Sequence, residues 1–215
     1  MTRGYAPVAE VWRSGALESV HHGAVVALAA DGSLAWAVGD PDVKIFPRSA
    51  LKPLQAAAMV AAGLSLDDRL LAVVCASHDG RPEHIAAVRE ILAGAGLGDD
   101  DLDNTPGFPL EAAAMRAVVR AGGGPTSITH NCSGKHAGML ATAVRNGWPT
   151  RGYRDPDHPV QRLILDDLRA HAGAVFAVGV DGCGAPACAR RSSRITRCSG
   201  PCRGIPRWSV ARSAT

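Results

Sequence analysis

The residues with the greatest capacity for chemistry lie together in His130-Asn131-Cys132-Ser133-Gly134-Lys135-His136-Ala137-Gly138-Met139-Leu140. A cysteine, a lysine and two histidines stand beside Gly134 and lead into the apolar run Met139, Leu140, Ala143, Val144. The run has helical spacing, so the polar cluster is expected at a helix N-terminus. Unpaired N–H groups and the helix dipole there favour a thiolate on Cys132. Cys132 and Lys135 are three residues apart and share a face if both are helical.

Three further clusters carry reactive groups. Ser49 and Lys52 make a Ser-x-x-Lys pair at the start of a helical pattern, where a poorly hydrated amine can become a base for the hydroxyl. The chain has three lysines, Lys44, Lys52 and Lys135, and two of them fall inside these dense motifs. Arginine cannot replace a titratable amine, because it stays protonated. Ser77-His78 follows an apolar segment and sits in a turn, with the structural alternative of a capping serine. Asp181-Gly182-Cys183-Gly184 ends an apolar strand, where glycines let backbone N–H groups approach a ligand and a carboxylate can hold an ammonium group. The bland alternative is a tight turn closed by Asp181 itself.

Cys132, Lys135 and Cys183 together offer a zinc site with two thiolates and an amine, His136 being an alternative ligand. A lysine ligand must lose its proton, so such a site weakens at low pH. The other readings are two buried cysteines beside a charged lysine, or Cys132 as a nucleophile with His130 or His136 as base.

The elements that must position these groups follow from the patterning. Ala6–Trp12 reads as a strand, and Asp31-Gly32 between the apolar runs 24–30 and 33–38 is a hairpin signal. Helices are expected over 56–62, 82–92, 110–120, up to about Arg145, and over 160–171, while Leu70–Cys75 is strand or helix. Ala174–Val180 reads as a strand. The expectation is an α/β (α+β) fold in one principal domain, residues 1–186.

Hydrophobic residues make up 47% of the 215-residue chain and aromatics only 4%, so the core must be built from Ala, Val and Leu. Residues 187–215 hold seven Arg and no Asp, Glu or Lys, leaving 16 basic against 20 acidic groups in residues 1–186. Periodicity stops after Pro186, and a basic tail, disordered or out of frame, is expected there. A basic arm for nucleic acid is the competing reading, but the tail lacks Lys and a helical face. The six scattered cysteines do not form a disulfide framework, and neither a leader nor a membrane-length apolar run is evident, so a reduced, cytoplasmic protein is expected.

Taken in order, Phe46-Pro47-Arg48-Ser49-Ala50-Leu51-Lys52, Ala76-Ser77-His78, the His130–Gly138 run and Asp181-Gly182-Cys183-Gly184-Ala185-Pro186 resemble the L-asparaginase II family of the rhizobial type. The resemblance covers Val11 to about Pro186 and implies hydrolysis of L-asparagine to L-aspartate and ammonia. It implies an antiparallel sheet with packed helices, similar to serine β-lactamases. It implies Ser49 with Lys52 as one Ser–Lys pair, Ser77 as the serine of a second, and Cys132, Lys135 and Cys183 as zinc ligands. Arg48, His78, Asn131 and Asp181 become the substrate-binding candidates.

It also implies a cytoplasmic enzyme, a homodimer in full-length relatives, with a small-molecule substrate and no nucleic acid or membrane partner. The lysine serving Ser77 in the family comes from a downstream region, and this chain has no lysine after Lys135. A truncated or frameshifted member is therefore expected, with exposed sheet edges, poor solubility and no measurable turnover. Two other functions compete: a penicillin-interacting Ser-x-x-Lys enzyme, which lacks its downstream Lys-Thr-Gly-like strand here, and a non-catalytic zinc-binding fragment.

Overall fold

A computed structural model describes residues 4–193. The described residues divide into two compact units, residues 4–45 with 190–193 and residues 46–189. The basic-tail expectation beyond Ser193 lies outside the described residues.

The first unit is built of hairpins. β1 (Ala6–Arg13) pairs antiparallel with β2 (Ala16–Gly23), Ala6 opposite Gly23 and Arg13 opposite Ala16. Ser14 and Gly15 both take positive φ, +48° and +83°, the backbone hand that a two-residue turn between right-twisted strands requires. β3 (Val25–Leu28) and β4 (Leu34–Val38) form the hairpin expected around Asp31-Gly32. The Asp31 carboxylate closes that turn by accepting the Ser33 N–H at 2.8 Å. β5 (Lys44–Ile45) pairs antiparallel with Arg191 and Arg190.

The second unit holds six helices among the described residues: α1 (Lys52–Ala61), α2 (Asp68–Cys75), α3 (Pro82–Gly94), α4 (Ala112–Arg120), α5 (Ser133–Arg145) and α6 (Pro159–Ala172). The undecided segment 70–75 is helical. Asp67 caps it by accepting the Leu70 N–H at 2.8 Å, and Leu70, Val73 and Val74 bury one face. β6 (Ala177–Val180) and β7 (Pro186–Arg191) form an antiparallel pair, Ala177 opposite Ala189 and Val180 opposite Pro186. Regular structure therefore continues past Pro186, where the sequence shows no period; Ala187, Cys188 and Ala189 are buried. Helices with antiparallel strands make the α+β class that the patterning predicts.

α5 is the central helix. Every residue from Ser133 to Leu140 is buried, and α1, α2, α3 and α6 pack around it. Two glycines one turn apart permit this. A Cβ at Gly134 would stand 2.5 Å from the Val73 carbonyl oxygen, and one at Gly138 would stand 2.8 Å from Val74 Cγ1. Only glycine lets α2 approach that closely. Met59, Val74, Met139 and Leu140 fill the adjoining core, each fully buried. At about 2 kcal/mol per large apolar side chain, this packing fixes the N-terminal end of α5, where Cys132 lies.

Candidate active site

Lys52 opens α1, directly after a 3-10 turn over Arg48–Leu51. Its side chain runs inward and is 2% exposed, with no carboxylate as partner among its hydrogen bonds. Nζ donates to the Ala76 carbonyl at 2.7 Å, to Ser77 Oγ at 2.9 Å and to the Asn131 carbonyl at 3.4 Å. Burial pulls its pKa below the usual 10.5, against the charge of Cys132, which supports the ammonium form. Ser77 is exposed, so the hydroxyl beside this buried amine is reachable from solvent. Ser49 is also exposed, and the hydrogen bonds of Lys52 go to Ser77 and two carbonyls, not to Ser49.

Cys132 caps α5, and Lys135 and His136 occupy its first turn. Cys183 comes from the β6–β7 turn. Lys135 Nζ donates to Cys183 Sγ at 3.3 Å. The neighbouring Cys183 thiol lowers Cys132 to about 6, overcoming desolvation, and the amines of Lys52 and Lys135 act in the same direction. Cys183 is raised by Cys132 beside it and by burial. Among the described residues no three His, Cys, Asp or Glu side chains gather as metal donors. The trio here is two thiols and an amine, with Cys132 favouring thiolate, a donor set suited to a thiophilic four-coordinate cation.

The remaining candidates divide. Arg48, in the left-handed region at φ +54°, pairs with the Asp181 carboxylate at 2.5 Å. A non-glycine residue held there stores strain of about 1–3 kcal/mol, of the kind found at binding clamps. Arg48, Ser49, Lys52, Lys135 and Asp181 line one small pocket, together with Gln55 and Cys188. His78 is not among the residues lining it. It is 3% exposed, its Nε2 is 2.8 Å from Ser133 Oγ, and burial lowers it to about 4. The Asn131 carbonyl accepts from Lys52, so the main chain of that residue joins the lysine to the α5 cap.

The structure thus brings the Ser-x-x-Lys motif, Ser77, the cysteine-lysine cluster and Asp181 into one neighbourhood. Among the described residues no histidine is hydrogen-bonded to the Cys132 thiol: His130 Nδ1 accepts the Cys132 backbone N–H at 3.0 Å, and His136 Nδ1 is 2.8 Å from Tyr153 Oη. Sequence reasoning missed Tyr153, which is fully buried, and Gln55. The scarcity argument that singled out the lysines applies equally to tyrosine, since the chain has two.

No curated protein matches the chain at significant similarity. The family model for L-asparaginase II matches residues 9–200, which spans all four motifs. The chain belongs to the L-asparaginase II family.

Proposed function

We propose that the chain is an amidohydrolase that converts L-asparagine to L-aspartate and ammonia through a lysine-primed serine. The observation that carries this reading is the 2.9 Å contact between Lys52 Nζ and Ser77 Oγ, made by a lysine that also lines the pocket with Ser49 and Asp181. Lys52 supplies the amine expected from downstream, so on this reading the chain turns over substrate, against the expectation of no measurable turnover. A buried amine with a lowered pKa takes the serine proton as the hydroxyl attacks the side-chain amide carbon. It returns the proton to the departing nitrogen, which leaves as ammonia, and water then releases aspartate from the acyl-serine. Ser49, on the same pocket wall, is the second hydroxyl that this lysine can serve.

Arg48 would hold the substrate α-carboxylate and Asp181 its α-ammonium group, each exchanging its present partner for the substrate. Cys132, Lys135 and Cys183 would hold zinc. When bound, zinc would add positive charge beside the pocket and assist rather than carry out the hydrolysis. Ammonia release from L-asparagine, measured with and without a chelator, tests the reading. Release that the chelator reduces supports it. Hydrolysis of a penicillin without ammonia release from asparagine favours the β-lactam-type alternative, and zinc binding with neither activity favours the non-catalytic one.

A further inference from the structure

His136 is fully buried, and its two ring nitrogens meet different neighbours. Nδ1 is 2.8 Å from the Tyr153 hydroxyl, with the rings edge to face. Nε2 is buried with no hydrogen-bond partner among the described residues. Which nitrogen carries the proton follows from Tyr153. That hydroxyl is sealed from solvent and accepts the Asp103 backbone N–H at 3.2 Å. A phenol has one proton to donate. If His136 Nδ1–H also pointed at the oxygen, the phenolic proton would be buried without an acceptor, an arrangement that costs about 1–3 kcal/mol. Donated to Nδ1, it satisfies both groups.

We propose that Tyr153 is a positioning residue that holds His136 in the Nε2–H tautomer, so that neither ring nitrogen offers a free lone pair and His136 is not a metal ligand. The donors then run one way: Asp103 N–H to the Tyr153 oxygen, and Tyr153 O–H to His136 Nδ1. A neutral imidazole has one acceptor nitrogen, and Tyr153 takes it. The same loop is fastened at its next residue. Arg154 binds Asp103 through Nε at 2.9 Å and lies against Gly184, which stands at φ +84° where a Cβ would collide with the guanidinium. Tyr153 and Arg154 therefore tie the α5 imidazole and the Cys183 turn to one segment. The meaning for metal binding rests on the proposed ligand trio, but the tautomer is read without metal or substrate, so the two can fail separately.

Long-range 1H–15N correlation spectra of the full metal-free chain, with the His136 signal identified by its loss in His136→Gln, test the proposal. The expected result is a single tautomer with Nε2 protonated and Nδ1 bare; protonated Nδ1 overturns it. The tautomer is read on the wild-type chain, and through-bond assignment of its spectrum identifies the His136 signal if His136→Gln fails to fold. Tyr153→Phe should lose the single-tautomer pattern, and an unchanged pattern overturns the role of Tyr153. Cobalt(II) titration gives a second readout: His136→Gln should keep the thiolate-to-cobalt band and coordination number of the wild type. Loss of one ligand in that variant overturns the assignment.

Discussion

Lys52 and Ser77 are 25 residues apart in sequence, yet the amine of one lies 2.9 Å from the hydroxyl of the other. The contact joins the first residue of α1 to the turn after α2, and the Asn131 carbonyl brings the α5 cap to the same amine. Removing the hydroxyl therefore leaves the amine bonded to the Ala76 carbonyl and the fold intact. Ser77→Ala should lower kcat at least about 100-fold, the usual size of a lost proton-transfer partner, with a small effect on KM. Steady-state ammonia release checks this; a loss in KM alone would assign Ser77 to binding.

Arg48 and Asp181 neutralise each other at 2.5 Å on the wall of the pocket. A zwitterionic amino acid can replace both halves of that pair at once, whereas an anion alone leaves Asp181 unpaired. Arg48→Ala should raise KM for L-asparagine by about tenfold or more with a smaller change in kcat. An unchanged KM would remove Arg48 from the substrate.

His78 ties stability to pH. Burial is the main reason that it titrates at about 4 instead of 6.5; His84, Lys52 and His130 add to the effect and Asp79 opposes it. As pH falls, the unfolded chain binds this proton first. The contribution of His78 is fully present above 6.5 and is lost as pH falls from 6.5 to about 4, by up to about 3 kcal/mol. Denaturant unfolding across that range should show the slope, and His78→Gln should flatten it. An equal slope in the variant would contradict the assignment.

Gly134 tests the packing that positions the thiol. In Gly134→Ala the new methyl meets the Val73 carbonyl oxygen, which is backbone and cannot turn aside. Overpacking of this kind costs about 1–3 kcal/mol. Denaturant midpoints measure it. A neutral substitution would mean that α2 and α5 are looser than the structure has them.

Local motifs were the legible part. Helix spacing after Met139 placed the polar cluster at a helix start, and the structure has Cys132 at that cap. Asp31-Gly32 marked its hairpin because turn chemistry is confined to a few residues. β2 went unmarked because Ala16–Gly23 mixes Glu18, Ser19, His21 and His22 without clean alternation, and its strand is largely exposed. Leu70–Cys75 stayed undecided, since a short apolar run carries no period of its own. The Lys52–Ser77 contact was illegible because Ser-x-x-Lys spacing points the lysine to its own helix face, whereas tertiary packing of α1 against α2 decides its partner. Tyr153 lies in a polar loop, where nothing local marks a buried ring.

The central claim is that one buried amine drives the hydrolysis. The most direct measurement is the initial rate of ammonia release from L-asparagine by the wild-type chain and by Lys52→Met, matched for folded protein. The account predicts clear release by the wild type and a fall of at least about 100-fold in the variant. No release from folded, zinc-loaded wild type, or equal release by both, would contradict it.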